Sequence, residues 1–411
     1  MALAAGYEVI VIDAFADIDT QQYAQLVLQA KISDLEQNPG FAQNYGNFDT
    51  ADFLKQLRSI QLSDCIGLLY GSGFEGNVDL LSEIAKLVPV IGNLPQTVAA
   101  IKKPIDFFAV LDSLHIPHPE VCFNGLDNTQ GWLIKQAGGA GGTHIQKADT
   151  DARLGIGEYF QREISTNLKD DATKAYAINN EIVKTVIPVS LIFLADGVNV
   201  QDIGFNQQLI AATTAQPYRY GGIISHGLID DAVKDLMLSA AKKITTHYAL
   251  RGLNSLDALV INSGLNEQVM ILEINPRLSA SVALYQFEYE NLLELHIQSC
   301  HIQPCQSAGL AINNIELAKF KSIKLAKNKD SIAHAVFYAP CDMKIKVDEV
   351  WPDWTADIPR PNTYIKIDEP VCTVMATGYT AKLAHQQLCK RLDSMNKMLK
   401  SDSAGEGYSE Y

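Results

Sequence analysis

The sequence predicts a multidomain protein of mixed α/β and α+β class, and three observations carry that prediction. Strand and helix signals alternate through the first hundred residues, from the apolar run Glu8–Ile12 onward, at the spacing of a parallel α/β layer. Two apolar runs, Leu256–Ile261 and Glu267–Ile274, read as a hairpin with Ser263-Gly264 in its turn. From about residue 305 short strands return among proline-rich loops, a β-rich texture unlike what precedes it. At 411 residues the chain is too long for one core.

Each element follows from its local pattern. Met1–Tyr7 reads as the end of a helix with no strand before it, which an upstream start would explain. Thr20–Leu35 reads as a helix, Asp64–Tyr70 as a strand, Gly76–Leu87 as a helix and Val88–Ile91 as a strand closed by Gly92-Asn93. Gln96–Leu114 reads as a helix that Pro117 and Pro119 terminate. Gln130–Lys147 gives two short strands around Gly138-Gly-Ala-Gly-Gly142, and Tyr159–Ile164 another. Residues 165–186 are polar and unpatterned, strands follow at 188–195 and 200–205, and Asp230–Ala249 is an amphipathic helix. Ser331–Tyr338, Thr363–Ile367 and Val371–Ala376 are strands, Ala381–Leu399 is a closing helix, and Ser401–Tyr411 has the composition of a disordered tail. The expected division is an N-terminal domain over 1–98, a central domain over 99–304 with a small part at about 115–187 and a large part at 188–304, and a C-terminal module over 305–400.

Composition removes several function classes. A hydrophobic content of 47% with 19% charged residues is that of an ordinary globular protein. The formal net charge of −14 lacks the basic field of a nucleic-acid reader. There is no secretory signal and no apolar run of membrane-spanning length. Seven cysteines, at 65, 122, 300, 305, 341, 372 and 389, form no Cys-x-x-Cys and no zinc spacing, although Cys300 and Cys305 flank His301. Free thiols in a reducing cytoplasm are the expectation.

The chemistry concentrates in Val269–Ser281. Its apolar run delivers Glu273, Asn275 and Arg277 at alternate positions, and alternate side chains of a strand share a face. Two oxygen donors beside a guanidinium suit a divalent cation held against a polyphosphate. Upstream, Trp132-Leu-Ile-Lys135 leads into a loop containing Gly138, Gly139, Gly141 and Gly142, whose bare N–H groups can approach phosphates and which can move as a lid. A lysine pair, Lys102-Lys103, precedes a helix, and spacing favours Lys103 as the one that reaches a ligand. Gly71-Ser-Gly-Phe-Glu-Gly76 fits the dinucleotide fingerprint, but Gly92-Asn93 stands where that fingerprint requires an acid. An NAD(P)-dependent oxidoreductase using Gly71–Gly76 is the alternative function on that motif.

Glu273-x-Asn-Pro-Arg277 after a strand resembles the metal signature of the ATP-grasp superfamily, which activates a carboxylate as an acyl phosphate and transfers it to a nucleophile, usually an amine. The resemblance implies an ATP-grasp fold with an N-terminal Rossmann-like (pre-ATP-grasp) domain and a C-terminal β-rich module. It implies ATP with Mg²⁺ or Mn²⁺ as cofactors, Asp257, Glu273 and Asn275 as metal ligands, and Arg277 and Lys135 as catalytic residues. It further implies Lys103, Lys135 and the four glycines as nucleotide contacts, Phe160-Gln161-Arg162-Glu163-Ile164 as the adenine hinge, and Glu75, Arg219, Ser279 and Ser281 as substrate contacts. A noncatalytic relative is expected to have lost a metal ligand, and none is lost here. Asp13-Ala-Phe-Ala-Asp-Ile-Asp-Thr20, Trp354–Pro359 and Pro370–Gly378 are similar to a subgroup related to tyramine–glutamate ligases, whose methylotroph members are associated with methylofuran and tetrahydromethanopterin synthesis. The implied partners are a small carboxylate and an amine, with neither nucleic acid nor membrane, and a homodimer is compatible with this. The family's first strand has no counterpart here, so an unpaired edge is expected in the N-terminal sheet.

Overall fold

The computed structural model describes residues 1–33, 47–164, 177–178, 181–182, 185–262, 267–286, 288–289, 292–300 and 330–403. Most of the polar 165–186 stretch, the Ser263-Gly264 turn, His301, Cys305 and the tail from 404 lie outside the described residues.

The chain starts with a short 3-10 turn, Leu3–Ala5, closed by Gly6 in the left-handed conformation, φ 83°. Strand β1 (Ile10–Asp13) follows, and Asp17 caps helix α1 (Ile18–Tyr23) by accepting from the Thr20 N–H. The expected helix Thr20–Leu35 is corrected here. The helix ends at Tyr23, and Leu26–Gln29 is strand β2, parallel to β1. Its Leu-Val-Leu run is worth more paired in a sheet than on a short helix. Helix α2 (Thr50–Arg58), strand β3 (Leu68–Leu69), helix α3 (Val78–Ala85) and strand β4 (Val90–Ile91) continue the expected alternation, with shorter strands than the sequence suggested. β1–β2 and β3–β4 remain two separate parallel pairs. Both pack on a core that includes Phe53, Tyr70, Phe74, Leu80 and Ile84. The stretch read as one helix over Gln96–Leu114 is two, α4 (Pro95–Ile101) and α5 (Pro104–Ser113). Pro104 has no N–H to donate and holds the preceding Lys103 extended, which is incompatible with a continuous helix.

A four-stranded antiparallel sheet comes next: β5 (Val121–Cys122), β6 (Trp132–Gln136), β7 (Ile145–Lys147) and β8 (Glu158–Arg162), in the order β5-β8-β6-β7. A small pair, β9 (Ala177–Ile178) and β10 (Glu181–Ile182), precedes the main sheet.

The main sheet contains β11 (Thr185–Asp196), β12 (Val200–Ile210), β13 (Tyr220–Ser225), β14 (Arg251–Asn262) and β15 (Glu267–Asn275), with helix α6 (Asp231–Tyr248) on one face. Helix α7 (Leu292–Ser299) is followed by β16 (Ser331–Tyr338), the pair β17 (Met343–Lys344) and β19 (Tyr364–Ile365), then β18 (Thr355–Ala356), β20 (Pro370–Gly378) and helix α8 (Ala381–Ser403). β16 pairs with β13, so the C-terminal strands extend the main sheet to eight strands in the order β15-β14-β11-β12-β13-β16-β20-β18. Ser401–Ser403, expected in a disordered tail, complete α8.

β11 is buried on both faces. Val189, Leu191 and Phe193 pack toward α6, while Ile192 and Leu194 pack beside Leu284 and Tyr285. Burial also fixes three imidazoles in the neutral form. His296 accepts at Nδ1 from the Leu253 N–H (2.8 Å), which leaves Nε2–H to donate to the Ile91 carbonyl (3.2 Å). Desolvation pushes His296 and His334 down to about 4 from 6.5, and His144 as far, with Lys135 adding to it. A lowered folded value means that the unfolded chain binds more protons between pH 6.5 and about 4. Stability is therefore full above 6.5 and is lost as pH falls through that window. Each imidazole contributes a slope of up to about 1.4 kcal/mol per pH unit there. We expect Tm to fall progressively from pH 7 to pH 5; a flat Tm in calorimetry across that range would contradict buried neutral imidazoles.

Candidate functional site

One extra residue in β15 aims its carboxylate. Val269 and Ile271 face the α6 core, so simple alternation would send Glu273 there too. The ladder between β14 and β15 instead pairs Ala258 with Ile271 and Asp257 with Glu273, leaving Leu272 as a bulge. Past it Ile274 returns to the core, and Glu273 and Asn275 point to the opposite face, where Asp257 lies. Asn275 donates from Nδ2 to Asp257 Oδ2 (3.1 Å) and to Glu273 Oε1 (3.4 Å). Gln208 of β12 donates to Asp257 Oδ1 (3.0 Å).

Two adjacent carboxylates at the edge of a core need cations, and three arrive from separate elements. Lys102, between α4 and α5, donates to Asn275 Oδ1 (3.0 Å) and lies 3.8 Å from Glu273 Oε2 and 3.9 Å from Glu75 Oε1. Lys135 of β6 is buried and donates to Gln161 Oε1 (3.3 Å). Arg277 donates from Nε to Glu75 Oε1 (2.6 Å) across the boundary with the N-terminal residues. Burial and the Glu273 charge raise the Asp257 carboxyl, with a hydrogen bond between the two groups. Burial works against ionised Glu273 as well, but Lys102 and Lys135, then His144 and Arg277, outweigh it and hold that carboxyl low. Of the two, Asp257 is the carboxyl more readily protonated. Lys135 is itself lowered by burial, with Glu273 and Asp257 pulling it back. Lys102, Lys135 and Arg277 thus face the carboxyl groups of Glu75, Asp257 and Glu273 in one cluster.

The structure places the two adjacent lysines differently. Lys103 is the N-cap of α5, 62% exposed, and pairs with Asp106 (2.8 Å), whereas the Lys102 side chain is 9% exposed and inside the cluster.

The glycine loop between β6 and β7 lies against two other segments. A Cβ on Gly138 (φ 72°) would stand 2.8 Å from the Gly76 Cα, and one on Gly142 (φ 73°) would collide with the Tyr218 carbonyl. The Gly141 carbonyl accepts from the Tyr220 N–H (2.8 Å). Under the loop is a cleft of about 400 Å³ including its open mouth, apolar at Ile101, Phe107, Phe108 and Tyr159 and charged at Lys102 and Glu273. Glu75 Oε2, Gln136 Oε1 and Gln161 Nε2, around the cluster and cleft, are buried without a hydrogen-bond partner.

Other expected contacts are already committed within the protein. Gln161 serves Lys135. Arg162 stacks on Trp132 at 4.1 Å, and its N–H and that of Glu163 donate to Glu120 O and Gly131 O. Glu163 receives the Tyr218 hydroxyl (2.7 Å) and Lys147 (2.8 Å). Of the expected hinge this leaves Ile164, and Tyr159 of the same strand lines the cleft instead. Arg219, expected as a substrate contact, is 5% exposed and bound to Asp368 and Ala211. Ser279 and Ser281 share a hydrogen bond of 2.6 Å beyond Arg277. Gly71–Gly76 brings Glu75 to Arg277, and Asn93, where a dinucleotide fold would place its acid, ties the N-terminal residues to Asn254 (2.7 Å) and Pro276 O (3.0 Å). Sequence reasoning missed Gln208 and His144. Gln208 sits mid-strand with no motif, and His144 directly follows the glycine loop. Among the described residues, no group of three or more His, Cys, Asp and Glu is placed to hold a metal, so a cation here relies on Asp257, Glu273 and the Asn275 amide oxygen. No described helix is long and apolar enough to cross a membrane.

Residues 105–281 match the sequence model of the ATP-grasp domain. No curated protein matches the chain by sequence. Solved structures match over nearly its whole length. The biotin carboxylase domain dimer of Hydrogenobacter thermophilus 2-oxoglutarate carboxylase, in complex with MgADP, ADP and bicarbonate, gives a TM-score of 0.65 at 10% identity, over 95% of this chain and 85% of that one. Biotin carboxylase from Campylobacter jejuni, in a β-γ-ATP complex, gives 0.62 at 13% identity, over 95% and 88%. Rhizobium etli pyruvate carboxylase gives 0.64 at 11% identity, over 96% of this chain but 37% of that one. At these identities the likeness speaks for the fold. The chain has the ATP-grasp fold, and its residues 105–281 are similar to the ATP-grasp domain.

The two lysines separate cleanly by experiment. In calorimetry with Mg-ATP, Lys102→Ala is expected to weaken binding at least tenfold, the loss of about 1.5–3 kcal/mol typical of a hydrogen bond to a charged group. Lys103→Ala is expected to change it less than twofold, and the reverse order would return Lys103 to the site.

Proposed function

We propose that the protein is an ATP- and Mg²⁺-dependent carboxylate–amine ligase that works through an acyl phosphate. The observation that carries this reading is the convergence of Lys102, Lys135 and Arg277 on Asp257, Glu273 and Asn275 beside an apolar cleft under a glycine loop. The apolar end, at Ile101, Phe107, Phe108 and Tyr159, is where a purine would lie, and Lys102, Lys135 and Arg277 are the groups that would meet a polyphosphate. The donor set fits a hard divalent cation: Asp257, Glu273 and Asn275 would hold it, and when bound it neutralises charge on the phosphates. Lys102 and Lys135 hold the phosphates, and Arg277 stabilises the transferring phosphoryl group. A substrate carboxylate oxygen bonds to the γ-phosphorus as the bond to ADP breaks. The amine nitrogen then bonds to the acyl carbon as phosphate leaves, and the amine proton passes to solvent. The unpartnered Glu75 Oε2 is suited to an ammonium or N–H of the acceptor. The glycine loop excludes water that would otherwise hydrolyse the acyl phosphate.

For the substrates we propose glutamate and a tyrosine- or tyramine-type amine, in the synthesis of a methylofuran-like one-carbon cofactor, by a cytoplasmic enzyme. This finer reading is supported by the Asp13–Thr20 and Trp354–Gly378 resemblances alone. No observation favours the oxidoreductase alternative, because Glu75 within Gly71–Gly76 is taken up by Arg277.

The test is ADP release with Mg-ATP, L-glutamate and a panel of amines that includes tyrosine and tyramine. The expected result is glutamate- and amine-dependent ADP, a product mass equal to both substrates minus water, and a loss of at least about 100-fold in Glu273→Gln. ADP release that ignores every amine would remove the substrate assignment. A protein that binds NAD(P) and not ATP would remove the ligase reading itself.

A further inference from the structure

The segment between β12 and β13 touches the glycine loop on one side and the C-terminal strands on the other. Toward the loop, the Tyr218 carbonyl meets Gly142 at a distance that leaves no room for a Cβ, and the Tyr220 N–H donates to Gly141 O (2.8 Å). The Tyr218 hydroxyl reaches Glu163 at the end of β8 (2.7 Å). Toward the C-terminal strands, Arg219 Nη1 donates to both the carbonyl (3.1 Å) and Oδ1 (3.0 Å) of Asp368, and its guanidinium lies 3.8 Å over the Tyr338 ring. The Tyr338 hydroxyl donates to Tyr220 O (2.7 Å). Asp368 adopts φ 67°, a left-handed conformation disfavoured for a residue with a Cβ, and there presents two oxygens to one guanidinium nitrogen.

We propose that Arg219, Tyr338 and Asp368 are positioning residues for the glycine loop, fixing from the C-terminal strands the seat on which Gly141 and Gly142 dock. The physical requirement is tight tolerance. A backbone contact with no space for a methyl group fails if its partner drifts. The 211–219 segment is closed on itself by Ala211 N–H to Arg219 O (2.9 Å), Arg219 Nε to Ala211 O (2.9 Å) and a Thr213–Gln216 turn, and it is tied outward by Tyr218 to Glu163 and by Arg219 to the C-terminal strands. Arg219 uses two nitrogens, Nη1 on Asp368 and Nε on Ala211 O, while its plane stacks on Tyr338, a set of contacts that the single nitrogen of a lysine cannot reproduce.

The test is hydrogen exchange on the full-length, nucleotide-free protein, read at the amides of Ala140–His144 and at Tyr220. Arg219→Lys is expected to speed exchange there about tenfold while amides in β11 and β14 keep their rates. Asp368→Gly accommodates the positive φ and removes only the carboxylate, so it should fold and give a smaller rise in the same amides. Tyr338→Phe keeps the stacking ring and should move Tyr220 more than the loop. In Gly142→Ala the loop is already displaced, and adding Arg219→Lys should change its exchange no further. Unchanged loop exchange in both Arg219→Lys and Asp368→Gly would overturn the proposal. So would a rise matched in β11 and β14, which marks general destabilisation. This readout needs no substrate, so it stands or falls separately from the ligase reading.

Discussion

The bulge at Leu272 is the constraint on which the site depends. Without it, Glu273 would face the aliphatic core beneath α6, an untenable place for a carboxylate. With it, Glu273 stands beside Asp257 on the cleft side, and two buried acids become one electrostatic problem. The solution draws on three separate elements: Lys102 from the α4–α5 junction, Lys135 from the small sheet and Arg277 from beyond β15. Arg277 in turn takes up Glu75, so the charge balance of a strand end also ties the N-terminal residues in place. Asn93 and Tyr70 reinforce that joint at Pro276, the residue just before Arg277.

What the sequence revealed and what it hid follow from the range of the forces involved. The β14–β15 hairpin, α6 and β16 were legible because burial on one or both faces leaves a pattern within a dozen residues. The Asp257 and Glu273 pairing was legible only through a motif. The bulge that creates it is invisible in Val269–Asn275, where nearly every residue is apolar. Lys102 and Lys103 are adjacent, and spacing alone favoured the wrong one of the two for the cluster. Which side chain turns inward is decided by Pro104, which makes Lys103 an exposed N-cap. The Thr20–Leu35 reading failed because a parallel partner strand, β1, competes for Leu26–Gln29, and pairing between segments leaves no local signature. Gln208 could not have been found from sequence at all, since its role comes from a register shared by three strands.

The C-terminal strands illustrate the same point at a larger scale. Their composition suggested a module apart, yet β16 hydrogen-bonds to β13 and the sheet runs on unbroken to β18. That continuity lets Asp368 and Tyr338 reach Arg219. The arginine was expected at a substrate because Tyr218–Gly222 resembles a family segment that lines the acceptor pocket. Those neighbours serve the glycine loop, and the guanidinium serves the segment that carries them.

The polar arrangement also says what kind of ligand it awaits. Buried acceptors at Glu75 and Gln136 and a buried donor at Gln161 carry unmet hydrogen-bonding capacity, each a cost of about 1–3 kcal/mol in the absence of a partner. Three basic side chains and three acidic ones are gathered next to an apolar cleft. A core selected for stability alone would replace such a cluster with packed aliphatic side chains and lose nothing. A ligand with negative charge at one end and a flat apolar group at the other, as in the proposed nucleotide, would meet both halves of the site. The glycine loop, docked by backbone alone above the charged end, adds the remaining requirement: the ligand must be enclosed, and water kept out, while it reacts.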